Sequence, residues 1–170
     1  MMPISWRRRS LVPSVTVPRG EKVLAMTTAT DGAVLAGTRD AFYVVRDGET
    51  RRVPWEQVEA ADWDRDTDSF RLSEVGSWGE ARPVHTATLT DPGRLLELVR
   101  ERVTASVLLV RHVPLEGRRG LRVIARRSPA GDRGVRWLYE YDAGIDPGDP
   151  VVVLAAENAL ADARSEVGLD

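Results

Sequence analysis

The stretch Arg52–Asp64, read RVPWEQVEAADWD, decides how this chain divides. Pro54 cannot donate to a strand ladder, so the strand that reaches it must end there or run along a sheet edge. Trp55–Val58 then reads as a short helical turn or part of a connection, and Ala60–Asp64 as the next strand. Trp55 is the natural anchor for a corner where one sheet passes to another, because an indole buries much apolar area at a joint. The acidic tail Asp62, Asp64, Asp66, Asp68 suggests calcium at first sight. An EF-hand loop needs glycine at its sixth position and glutamate at its twelfth. Counted from Asp62 those positions hold Thr67 and Ser73, and counted from Asp64 they hold Ser69 and Val75. The tail therefore reads as the wet face of a strand and a hairpin turn.

Upstream lie strand-like segments. Asp31-Gly32 and Asp47-Gly48 are hairpin signals, since tight primed turns need positive φ. They bracket a meander of 22–29, AVLAG (33–37) and AFYVV (41–45), with Thr50–Val53 as a fourth strand. Downstream, Ser69–Val75 and Pro83–Leu89 bring the strand count to seven. Residues 91–104 then read as a helix, with Asp91 as N-cap, Pro92 as first helical residue and an apolar stripe of Leu95, Leu96, Val99 and Val103. The hydrophobic period next falls to two. Residues 106–113 read as a strand ended by Pro114, although the helix could also run on through Leu109. Gly120–Arg127 and Gly134–Asp142 form a hairpin. A second helix covers 150–167, with Asp149 as N-cap, Gly168 at C′ and a seam of Val153, Ala156, Leu160, Ala163 and Val167.

Composition narrows the function classes. The chain has 170 residues, a 42% apolar fraction and a net charge of −2, so no global field draws it to nucleic acid or membrane. Cysteine is absent, which excludes disulfides, thiolate nucleophiles and Cys-ligated zinc. No apolar run reaches the ~18 residues of a membrane helix. The N-terminal stretch lacks a signal-peptide core, so the expected compartment is the cytoplasm.

Seven short antiparallel strands closed by one amphipathic helix form the pattern of a pleckstrin-homology-like barrel. The wording VLAGTRDAFYVVRDGETRRVPWEQVEAADWD (34–64) resembles the bacterial PH-like and GRAM-like domains, and the whole chain is similar to actinobacterial proteins of uncharacterised role. The resemblance covers 21–104 and implies there a PH-like seven-stranded antiparallel barrel with its C-terminal helix; with the arm over 1–20 and the three-stranded meander and second helix over 105–170 read from the residues, the expected fold is α+β. The second helix would pack on the barrel or on a partner. The resemblance also implies a scaffold that binds lipid headgroups, peptides or proteins. The lysine-rich first loop of phosphoinositide-binding members is missing, with Asp31-Gly32 in its place.

No serine-hydrolase, zinc-protease, P-loop or dinucleotide motif occurs, and the two histidines, His85 and His112, stand 27 positions apart with no partner nearby in sequence. The expectation is a binding protein without cofactor or metal. Arg118, Arg119, Arg122, Arg126 and Arg136 crowd into a short span and are candidate anion contacts. If the hairpin folds about Gly131, Arg122 faces Glu140, Ile124 faces Leu138 and Arg126 faces Arg136. Ile124 and Leu138 then lie opposite Trp137 and Tyr139, so both hairpin faces need cover, and a partner subunit on one of them would make a homodimer. Trp78, in a glycine-flanked loop, is a further contact candidate, as are Trp6, Arg7, Arg8 and Arg9. The leading expectation is a protein- or peptide-recognising module. Anionic-lipid or nucleic-acid binding through the arginines comes second, and an enzyme with residues dispersed in sequence third.

Overall fold

The structure, a computed structural model, describes residues 14–76, 81–131 and 134–168. Among them are ten strands in three antiparallel sheets, together with two helices, an α+β arrangement. The first sheet is a meander of β1 (Ala25–Thr28), β2 (Val34–Gly37), β3 (Ala41–Arg46) and β4 (Glu49–Pro54). The second holds β5 (Val58–Asp64), β6 (Ser69–Glu74) and β7 (Val84–Thr88). Helix α1 (Leu95–Ser106) follows. The third sheet contains β8 (Val107–Glu116), β9 (Arg119–Arg126) and β10 (Arg136–Tyr141), with β9 central, and helix α2 (Pro150–Glu166) ends the fold.

The expected closed barrel is not observed. Seven strands precede α1, as expected, but they form separate sheets of four and three. The reason lies at Pro54. With no N–H to donate, it ends β4, and a 3-10 turn over Trp55–Gln57 carries the chain to β5 without a shared ladder. At the opposite seam the Thr30 N–H donates to the Thr88 carbonyl at 3.0 Å, a contact between loop ends. The two sheets face each other across Phe42, Phe70, Trp55, Leu72 and Leu95, all almost fully buried. Trp55 holds the corner as its sequence position suggested. Its indole N–H donates to the Thr38 carbonyl at 3.0 Å, and its ring lies 6.1 Å from that of Phe42.

Several boundaries differ from expectation. Helix α1 starts at Leu95 rather than Asp91, because the Asp91 carboxylate accepts from Gly93 N (3.2 Å) and closes a local turn instead of capping the helix. Strand β8 runs through Pro114 instead of stopping before it. It is an edge strand, so the missing N–H costs no ladder bond, and the register shifts between Pro114 and Glu116. Gly120 stands opposite, where a Cβ would fall 1.9 Å from the Val113 carbonyl oxygen. The buried seam of α2 is Val152, Ala156, Ala159 and Ala163; Ala156 and Ala163 belong to the expected stripe and Leu160 packs against the same cluster, but Val153 is exposed and Val152 is buried in its place. Residues 15–23 lie on a face of the first sheet, with Val15, Val17 and Val23 packed against Ala36, Ala41 and Tyr43.

The hairpin register agrees with the reading from sequence: Arg122 faces Glu140, Ile124 faces Leu138 and Arg126 faces Arg136. Helix α2 covers the face that carries Leu121, Val123, Trp137 and Tyr139.

Candidate functional site

Strand β5 is the outer strand of the second sheet, and α1 lies beside it. Between them runs a groove of about 590 Å³. Ala61, Asp62 and Trp63 line it from β5, while Leu96, Val99 and Val103 line it from α1. Successive strand residues point to opposite faces, so three in a row can border one groove only if it follows the strand edge. The floor is Phe70, the cross-strand partner of Trp63. Trp63 is half-buried, with part of its ring against the core and the remainder bordering the groove. Asp62, Glu97 and Arg100 form a charged rim around an apolar trough. This arrangement, an unpaired backbone edge beside an apolar helix face, suits an extended chain better than a compact metabolite. The geometry offers adsorption and backbone pairing.

Both histidines are held by carboxylates. His85 Nε2 lies 2.7 Å from Glu74, which also accepts a bidentate pair from Arg51 (3.0 and 2.6 Å). Burial pushes the Glu74 carboxyl up, but hydrogen bonds from Arg51 and His85 outweigh that and hold it below the usual carboxylate range. The triad ties β4 to β6 and β7 across the sheet gap, beside a 310 Å³ cavity lined by Arg46, Arg51, Val84 and His85. His112 Nε2 stands 3.5 Å from Asp142, whose other oxygen accepts from Arg122 at 3.1 Å. The Gly120 N–H donates to Asp142, and this bond, with Arg122 and His112, holds its carboxyl below the ordinary value.

A third network lies on the first sheet. Glu21 accepts from Thr38 (2.8 Å), Tyr43 (2.6 Å) and Arg52 (2.6 Å), and Arg52 also donates to the Tyr43 oxygen at 3.0 Å. Burial and the bond to Glu21 push the Tyr43 phenol up to about 12. These bonds clamp the segment before β1 onto β3 and β4. No local motif in sequence announces such a cluster, because its members come from positions 21, 38, 43 and 52.

The five candidate arginines do not converge on one point. Arg118 is exposed in the β8–β9 turn, and Arg119 there pairs with Glu116 at 3.1 Å. Arg122 pairs with Asp142 and lies 3.9 Å from Glu140. Arg126 and Arg136 are cross-strand neighbours at the far end of the sheet, roughly 13 Å from Arg122 and roughly 23 Å from Arg119 along β9 at ~3.3 Å per residue. Arg126 turns away from solvent. Only 5% exposed, it donates to the carbonyls of Val58 and Glu59 and to Ser106 Oγ. Burial lowers its guanidinium pKa, partly opposed by the Glu140 charge. Sequence reasoning missed this role, since nothing local distinguishes Arg126 from its neighbours. Ile124 is buried between Val110 and Leu138 in its row across the sheet. Trp6, Arg7, Arg8, Arg9 and Trp78 lie outside the described residues.

Comparison with family models, with curated proteins and with solved structures yields no match for this chain.

Proposed function

We propose that this protein is a non-enzymatic recognition module that takes a protein or peptide segment into the groove between β5 and α1. The observation that carries the reading is the line of consecutive residues Ala61, Asp62 and Trp63 along an unpaired strand edge, faced by the apolar side of α1. The count of seven strands followed by a helix is what remains of the PH-like expectation for residues 21–104, without the closed barrel. A bound segment would add a strand to β5 through its main chain and set alternate side chains against Trp63, Leu96 and Val103. Anionic-lipid or nucleic-acid binding has weaker support, because Arg119 and Arg122 are already paired with carboxylates.

The test is selection from a random peptide display library on the wild-type protein, repeated on Val103→Glu. Val103 is half-buried at the groove wall, so the variant should keep its fold. Selected peptides should lose at least ~10-fold in affinity on the variant, or about 1.4 kcal/mol. Recovery of no binder, or of binders indifferent to Val103→Glu, would sink the reading. Affinity that instead follows salt concentration steeply, with Arg118 and Arg119 required, would favour the anionic ligand.

A further inference from the structure

A second groove, of about 560 Å³, lies elsewhere, along β10. This volume falls within the range of about 300–1,000 Å³ common for ligand sites. All five residues of Trp137–Tyr141 border it, so it too follows a strand edge rather than one face. Among the described residues, strand β10 pairs with β9 alone. The backbone alternation can be assigned. Asp142 N donates to the Gly120 carbonyl at 2.9 Å, so the main-chain groups of Glu140 and Leu138 also turn toward β9. Those of Trp137, Tyr139 and Tyr141 then turn outward, into the groove.

The far wall of the groove belongs to the first block of strands and includes Glu59, Val75 and Arg82. Glu59 and Arg82 form an ion pair across β5 and the segment before β7. An occupant of the groove therefore lies between the free edge of β10 and this wall.

Arg126 also borders the groove. It is 5% exposed and its Nε has no hydrogen-bond partner among the described residues. Its other contacts are neutral oxygens, and no carboxylate comes within salt-bridge distance among the described residues, Glu59 being taken by Arg82. A buried cation opposed only by Glu140, which borders the same groove beyond salt-bridge distance, is costly, and an anionic group entering beside it would relieve that cost. The outward backbone groups call for an extended main chain, and the buried cation calls for a carboxylate.

We propose that the groove along β10 binds an extended peptide segment bearing an acidic side chain, whose main chain pairs with Trp137, Tyr139 and Tyr141 and whose carboxylate is received by Arg126. This site is separate from the β5–α1 groove and stands or falls independently of it.

The experiment uses two amidated hexapeptide libraries, one with glutamate and one with glutamine at the third position and all other positions randomised. Hexapeptides match the six residues of β10. Retention on the full chain is compared, and the best binder is titrated while backbone amide resonances are followed. The expected result is at least tenfold greater retention of the glutamate library, with shifts centred on Trp137, Tyr139 and Tyr141. N-methylation of alternate peptide bonds should abolish binding. The variant Arg126→Gln should remove the preference for glutamate; should it fail to fold, the N-methylated peptides and the library ratio still decide. Equal retention of the two libraries, including retention of neither, overturns the proposal. So do shifts confined to Ala61–Trp63, inorganic phosphate displacing the peptide at equal concentration, or concentration-dependent self-association that protects the same amides.

Discussion

The Arg126 guanidinium, on β9, donates to the main-chain carbonyl of Val58, at the start of β5 and 68 positions away in the chain. The register of β5 against β6 shifts between Val58 and Ala60, and this irregularity releases carbonyls from the ladder just where Arg126 arrives. One buried side chain thereby joins the third sheet to the second. Replacement of Arg126 by methionine keeps much of the volume but leaves the Val58 and Glu59 carbonyls without their donor. The expected loss is about 2–3 kcal/mol of unfolding free energy, in line with charged hydrogen bonds and orphaned buried groups. Urea denaturation checks it, and a loss under about 0.5 kcal/mol, the level of an ordinary surface change, would contradict the joint.

Gly120 makes a different prediction. A methyl group there would overlap the Val113 carbonyl at the irregularity opposite Pro114, and the atom it meets is backbone, which cannot swing aside. Gly120→Ala should cost at least about 1–3 kcal/mol, the range for overpacking. A thermal melt unchanged from wild type would show that β8 relaxes freely at Pro114.

Stability should fall at both extremes of pH, for separate reasons. The Glu21 and Glu74 carboxyls are held below their ordinary value in the fold, so their contribution is present above about pH 4.5 and is lost as pH falls through their folded pKa values. Tyr43 is the opposite case. Its phenol ionises near 10 when unfolded and at about 12 when folded, so its contribution is complete below pH 10 and disappears as pH rises toward 12. Glu74→Gln should flatten the acid limb and Tyr43→Phe the alkaline limb, as read by urea midpoints across pH. An acid limb that keeps its slope in Glu74→Gln would remove Glu74 from this account.

The Asp149 carboxylate accepts from Val151 N at 2.8 Å and caps α2. Asp149→Ala should cost about 1 kcal/mol, and Asp149→Ser much less. Equal losses for the two substitutions would mean that the cap is not the source of the effect.

Local chemistry was legible in the amino-acid sequence itself. The strands around Asp47-Gly48, the break at Pro54, the 150–167 helix with its Asp149 cap, and the pairing of Arg122 with Glu140 all rest on interactions within a few residues or across one hairpin. For such features, backbone geometry and side-chain period are sufficient. Closure of the first seven strands was not legible, because it depends on whether β4 and β5 share a ladder after Pro54, a matter of how two sheets pack. The first member of the α2 seam, Val152 rather than Val153, was misread for a related reason: adjacent valines at the helix start can each face inward until Leu121 and Val123 select a side.

The functional features divide along the same line. The arginine-rich span was visible as composition, yet the tertiary structure alone separates Arg119 and Arg122, neutralised by carboxylates of their own sheet, from Arg126, buried against carbonyls of another. Likewise the edges of β5 and β10 read as ordinary strands in sequence. Each becomes a groove only where a distant element comes to rest beside it, α1 in one case and the wall of Glu59, Val75 and Arg82 in the other. Sequence determined the secondary elements through short-range sterics and hydrogen bonding, while the sites arose from long-range packing, in which the desolvation of a charge or an edge depends on neighbours that no local window contains.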